Sequence, residues 1–213
     1  MDISHWLPPK ELNMMLANIS AVLFDLDGTL IDSGLDFQVL RKNVACPAGV
    51  DILSYLADLP TPQQRAEVEQ AIHEFEMTGA ALSTWMPGAE ALLETFARAG
   101  IATGIVTRNT RAAFDVCSKR LAIPSIDVIT REDAPAKPDP TGLLNLAAKF
   151  SVLPGNTIYV GDYIYDLQAA RAAGMHSCLY DPRGDASFAD LADVRIRHFD
   201  QLAMLLNADI NTR

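Results

Sequence analysis

The feature that most restricts this chain is a four-residue apolar run, Ala21–Phe24, that stops at Asp25. A run apolar at every position and too short for a helix suits a strand buried on both faces, the environment that a parallel sheet provides. The same pattern returns at residues 101–106 before Thr107, at 126–129, at 157–160 before Gly161-Asp162, and at 176–180. Helical patterns lie between these runs. Pro87 opens one whose Leu92, Leu93, Phe96 and Ala97 share a face and which Gly100 closes. Others cover residues 110–121, residues 139–150 with Asp139 as cap and Pro140 in first position, and residues 166–173 before Gly174. Strand and helix alternate from residue 87 onward, which predicts an α/β, Rossmann-like, doubly wound parallel sheet covered on both faces.

Residues 35–85 break that alternation. They show only helical periodicity, at 35–44, 49–59 and 62–82, punctuated by Pro47, Pro60 and Pro62. The expectation is a small all-helical cap at 35–85, inserted into a core domain of residues 1–34 and 86–213. Residues 10–19 read as one further helix. Hydrophobic residues make up 49% of the chain and charged ones 21%, enough apolar material for such a core.

A net charge of -10 leaves no basic surplus to replace phosphate counterions, so nucleic acid is not an expected partner. A phosphorylated small molecule stays open, because a bound cation can invert the field of an acidic site. Cys46, Cys117 and Cys178 are sparse and show no ligand spacing, and no apolar run is long enough to span a bilayer. With no secretory pattern at the N-terminus either, the reading is a cytoplasmic protein without membrane contact. Oligomeric state is not legible.

The acidic residues cluster where chemistry is expected. Ligands of open α/β sheets bind beyond the carboxyl ends of the strands, and those ends carry Asp25, Thr107 and Asp162, with Asp27 and Asp166 just beyond. Carboxylates converging on one crevice repel each other, and a hard divalent cation such as Mg2+ relieves the repulsion. Gly28 suggests a tight turn with amides aimed at an anion. Thr107 offers a hydroxyl, and Arg108 and Asn109 offer N–H groups at a helix entry. Lys137 is placed to reach the same crevice.

These residues resemble the four motifs of the haloacid dehalogenase-like hydrolases. The segment from Asp25 to Leu30 (DLDGTL) is similar to the first motif, Thr107 after Gly104-Ile105-Val106 to the second, Lys137-Pro138-Asp139-Pro140 to the third, and Gly161-Asp162 through Asp166 to the fourth. The resemblance spans about residues 20–206 and implies that residues 35–85 are a short helical cap. It implies a Mg2+-dependent phosphatase acting on a small phosphorylated metabolite. In that reading Asp25 is nucleophile and metal ligand, and Asp27 is general acid and base with its carbonyl on the metal. Asp162 is a metal ligand and Asp166 supports the site. Thr107 holds the transferring phosphoryl and Lys137 neutralises charge on the nucleophile and phosphate, with Leu26, Gly28, Arg108 and Asn109 as further contacts. Among cap cations, Arg41 is the candidate to touch substrate. Aspartate at position 27 favours phosphoryl transfer over dehalogenation, since halide leaves without a proton. A sugar phosphomutase using the same residues is one competitor. A phosphoacceptor signalling or binding protein is another, but it lacks a use for Asp27 and for residues 35–85.

Overall fold

In a computed structural model, residues 15–207 are described. Six parallel strands form the main sheet: β1 (Ala21–Phe24), β4 (Ala102–Val106), β5 (Asp127–Ile129), β6 (Thr157–Gly161), β7 (His176–Tyr180) and β8 (Val194–Ile196), in the spatial order β5-β4-β1-β6-β7-β8. The chain leaves β1 toward β4 and β5, then crosses back to β6 on the other side of β1. Strand order therefore reverses between β1 and β6, and a ligand crevice opens at such a point.

The apolar runs explain why β1 sits in the middle. Val22 and Phe24 enter one core with Ile105, Val160 and Phe96, whereas Leu23 enters the opposite core with Tyr159, Leu143 and Leu146. Alternate residues of one strand face opposite layers, and β1 is fully buried on both. Helices α4 (Ala89–Ala99) and α8 (Phe199–Leu205) cover the first face, where Phe24 stacks 6.4 Å from Phe96 and meets Phe199 edge-on. Helices α6 (Thr141–Lys149) and α7 (Ile164–Ala173) cover the second.

Residues 37–82 form three helices, α1 (Phe37–Asn43), α2 (Ile52–Asp58) and α3 (Pro62–Leu82). Asp36, Asp51 and Thr61 cap them through side-chain oxygens that accept N–H groups of the first turns. The three share a small apolar cluster built on Leu40, Val44, Val68 and Ile72. The long α3 also packs against α5 (Arg111–Leu121) of the sheet layer.

The fold departs from the sequence expectations in a few places. Residues 35–85 are not wholly helical: β3 (Thr84–Trp85) pairs antiparallel with β2 (Ile31–Asp32), so a two-stranded ribbon carries the chain out of the sheet layer and back. Two residues per strand are too few to show a period. Strand β8 and helix α8 are elements that the apolar-run pattern does not reveal, because β8 has three residues with half-buried Arg195 at its centre. Helix α4 begins at Ala89, after Gly88 in the left-handed region, and α6 at Thr141, whose N–H is accepted by Asp139 Oδ1 at 2.9 Å. The expected helix at 10–19 lies largely outside the described residues. No helix among the described residues is long and apolar enough to cross a membrane.

Candidate active site

Asp25 and Asp162 follow the adjacent central strands β1 and β6, and the Asp25 N–H donates to Val160 O at 2.8 Å. Their position is therefore fixed by the sheet register and not by a flexible loop. Asp166, in the first turn of α7, is 2% exposed, and its Oδ2 accepts the Tyr163 N–H at 2.9 Å. Oxygens of Asp25, Asp162 and Asp166 lie within 4.8 Å of one another.

One cation answers these three carboxylates. Lys137, 2% exposed, places Nζ 2.7 Å from Asp25 Oδ1, 2.7 Å from Asp166 Oδ1 and 2.7 Å from the Tyr159 hydroxyl. Tyr159 in turn donates to Val106 O at 2.9 Å. Burial lifts the Asp25 carboxyl to about 7, with Lys137 opposing the rise and Asp166 adding to it. Asp162 is pushed well above the usual carboxylate range by burial and by its neighbours Asp166 and Asp25. The Lys137 ammonium is raised, because the pull of Asp166 and Asp25 outweighs its burial. Three acids against one base leave an excess of buried negative charge, which is the donor set a hard divalent cation needs.

Glycine at position 28 has a concrete cause. Its φ is +84°, and a Cβ there would lie 2.4–2.8 Å from the Asp162 carboxylate. Its N–H donates to Ile31 O at 2.9 Å, so that amide serves the turn. Leu26 buries its side chain in the core, so only its backbone can face the crevice. Thr29 Oγ1 donates to Asp162 Oδ1 at 3.0 Å and steadies it.

Asp27 stands apart from the acidic cluster. Its Oδ1 accepts the Ser33 hydroxyl at 2.6 Å, while its buried Oδ2 has no hydrogen-bond partner. Burial raises its carboxyl, against the opposing Ser33 hydrogen bonds. A raised, half-satisfied carboxyl facing a cavity is a proton donor in waiting.

Thr107 is 3% exposed at the end of β4, with its N–H given to Ile129 O and its Oγ1 accepting the Asn109 N–H at 3.1 Å. Arg108 reaches across the crevice. It donates to Lys137 O, pairs with Asp51 at the start of α2, and lies 4.9 Å over the Tyr165 ring. Arg41 lines the same cavity, but its guanidinium donates to Pro47 O at 2.8 Å and to Val50 O.

Sequence reading overlooked several residues that shape this site. Buried Glu76, on α3, accepts the Thr110 N–H and hydroxyl at 3.3 Å and pairs with Arg131. Arg131 also donates to Arg108 O at 2.6 Å, tying the helical segment to the Thr107–Thr110 turn. A single glutamate within a polar helix gives no signal of such a contact. Tyr159 did carry one, since a tyrosine in an otherwise apolar central strand needs a partner for its hydroxyl.

A cavity of about 490 Å³ joins these parts, with Asp25, Asp27, Thr107 and Asp162 at one end and α1, α2 and α3 at the other. The chain is 30% identical over 202 residues to an uncharacterized hydrolase of Saccharomyces cerevisiae, covering 90% of this chain and 92% of that one. It is 31% identical over 182 residues to a phosphoglycolate phosphatase of Xylella fastidiosa, covering 73% and 77% of the two chains. A hydrolase structure from Deinococcus radiodurans with bound phosphate and sodium superposes with a TM-score of 0.65 at 22% identity, over 91% of this chain and 98% of that one. The family model for haloacid dehalogenase-like hydrolases matches residues 22–180, the stretch that carries every strand-end acid described above. The chain thus belongs to the haloacid dehalogenase-like hydrolases.

Proposed function

We propose that this protein is a Mg2+-dependent phosphatase of small phosphate monoesters that works through a phosphorylated Asp25. The observation that carries the reading is the pairing of two unlike carboxyls at one crevice. Asp25 is gripped by Lys137 at 2.7 Å, and Asp27 is buried with one oxygen unpartnered. One suits a nucleophile and the other a proton donor. The named activity of the phosphoglycolate phosphatase relative points to the same reaction class.

In this mechanism a carboxylate oxygen of Asp25 attacks phosphorus as the bond from phosphorus to the leaving oxygen breaks. Asp27 gives its proton to that oxygen, releasing an alcohol. Water then attacks the same phosphorus, the Asp25–phosphorus bond breaks, and Asp27 takes the water's proton. Lys137 holds Asp25 in line, and the Thr107 hydroxyl and the Arg108 and Asn109 backbone steady the phosphoryl oxygens. Asp25, Asp162 and the Asp27 carbonyl would hold the metal, with Asp166 in support. When bound, the cation neutralises charge that grows on the transferring phosphoryl group. Residues 35–85 act as a cap that excludes water and contacts the leaving group, continuous with the core to which the described residues 15–34 and 86–207 belong. The setting is cytoplasmic and the substrate a small metabolite.

Hydrolysis of p-nitrophenyl phosphate with and without Mg2+ tests this, comparing the native enzyme with Asp25→Asn and Asp27→Asn. Release that needs Mg2+, is lost in Asp25→Asn and is reduced in Asp27→Asn supports the mechanism. Equal release by native enzyme and Asp25→Asn would show that Asp25 is not the nucleophile.

A further inference from the structure

The end of the cavity remote from Asp25 has its own chemistry. Two of its lining residues are cations, Arg41 and Arg108, and both are already engaged. Arg41 donates to the Pro47 and Val50 carbonyls, which close the loop between α1 and α2. Arg108 is paired with Asp51 and lies over the Tyr165 ring. The lining acid Glu76 is matched by Arg131. The rest of the lining is mostly apolar, with Phe37, Val50, Ile52, Leu53 and the ring of Tyr165, and Gln38, Asn109 and Tyr163 add uncharged polar groups. Phe37 and Val50 are 48% and 38% exposed, whereas Leu40, Val44, Val68 and Ile72 are covered in the cluster the three helices share.

Resting on the phosphatase reading, we infer that the substrate's leaving group is an uncharged group with a sizeable apolar body, and that the site disfavours carboxylate-bearing phosphates such as phosphoglycolate. A carboxylate entering this end would have to draw Arg108 from Asp51 or Arg41 from the Pro47 and Val50 carbonyls, and a charge taken from water without a partner is costly. It would also lie near the Asp51 and Glu76 carboxylates. A cavity of about 490 Å³ is within the range of sites that enclose ligands far larger than a two-carbon acid. Apolar walls with few polar groups bind by area, so affinity should grow with the apolar surface of the leaving group.

Two isosteric substrates isolate the charge: 4-carbamoylbenzyl phosphate, which is neutral at the ring substituent, and 4-carboxybenzyl phosphate, which is anionic there. The methylene keeps their leaving oxygens similar in basicity. The expected result is a kcat/KM at least about tenfold higher for the neutral substrate, with phosphoglycolate below both. Asp51→Asn keeps a side-chain cap on α2 while releasing Arg108, and should raise kcat/KM for the carboxylate substrate alone by about tenfold. The matching non-hydrolysable phosphonates, titrated calorimetrically, should bind in the same order. Equal or better turnover of the carboxylate substrate overturns the inference, and so does equal or absent binding of the two phosphonates. Turnover of neither substrate would instead count against the phosphatase reading, while the phosphonate titration still decides the preference of the cavity.

Discussion

The two ends of the cavity treat charge in opposite ways. At the strand ends three carboxylates, Asp25, Asp162 and Asp166, share one lysine. Under the helices each acid has its own arginine, Asp51 with Arg108 and Glu76 with Arg131, while Arg41 is held by the Pro47 and Val50 carbonyls. The first arrangement stores unbalanced charge on a rigid frame, because Asp25 and Asp162 follow central strands that are buried on both faces. Burial and mutual repulsion raise Asp25 and Asp162 toward their neutral forms, and a partner that brings positive charge would relieve that repulsion, as metal-assisted phosphoryl transfer requires. In the second arrangement the acids are paired and the remaining cation, Arg41, is held by two loop carbonyls before any ligand arrives, so this end offers mainly surface and shape to whatever is attached to the phosphate. In the proposed mechanism chemistry and selectivity occupy separate regions, and substitutions at the two ends should fail in different ways.

The largest expected effect is at the charged end. Asp25→Asn should lower kcat by about 10⁴-fold or more in a phosphate-release assay, with little change in melting temperature. Comparable loss from a substitution in the helices would break the proposed division. Next comes Asp27→Asn, expected to cost about 10²–10⁴ in kcat/KM. Its penalty should shrink for p-nitrophenyl phosphate relative to an alkyl phosphate, since a stable phenolate needs less help from an acid. A uniform penalty across leaving groups would remove Asp27 from that role.

Stability sharpens the comparison from the other side. Phe24→Ala, at a position with no exposure, should cost about 3–5 kcal/mol in urea unfolding. Glu76→Ala should cost roughly 3 kcal/mol, because it strands Arg131 at the junction of helix and sheet. Its effect on turnover should be the smaller of its two, felt through the Thr107–Thr110 turn. The smallest effect lies outside both regions. Burial works to raise the Asp181 carboxyl, but the Ala186 and Gly184 N–H groups and Arg195 hold it below the ordinary range. A depressed folded-state value means that this contribution is present above the unfolded value near pH 4 and fades as pH falls through the folded value. Unfolding titrations should find native protein more stable than Asp181→Asn by on the order of 1 kcal/mol at neutral pH, with the gap closing in acid. A gap that is constant with pH would remove the charge from the explanation.

The charged end was legible in the sequence for a physical reason. A strand buried on both faces must be apolar, so its last residue is marked by the first acid or hydroxyl, and Asp25, Thr107 and Asp162 stand out against Ala21–Phe24 and its companion runs. Lys137 lies in a loop with no apolar run to mark it, so its place at the crevice rested on the motif it resembles, and the fold supplies its two partners, Asp25 and Asp166. The helical end was less readable. Asp51 caps α2, inside the stretch read as helix from residue 49, and nothing in its neighbours announces that its second oxygen holds Arg108. Glu76 lies among other glutamates of α3, and its burial follows from packing against α5. Arg41 illustrates the limit of reading cations from helix periodicity. Its position beside the cavity was foreseeable, but its two carbonyl partners come from a loop whose path no local pattern encodes. Strand β8 and the β2–β3 ribbon were lost to brevity.

The central claim is that the phosphoryl group rests on Asp25 between substrate and water. Asp27→Asn should slow the second displacement, so phosphoryl-labelled substrate mixed with this variant and quenched in acid should leave label on the protein. The account predicts near-stoichiometric label, mapped by peptide mass spectrometry to Asp25 and absent from the double variant Asp25→Asn, Asp27→Asn. Turnover without any protein-bound label, or label on another residue, would contradict it.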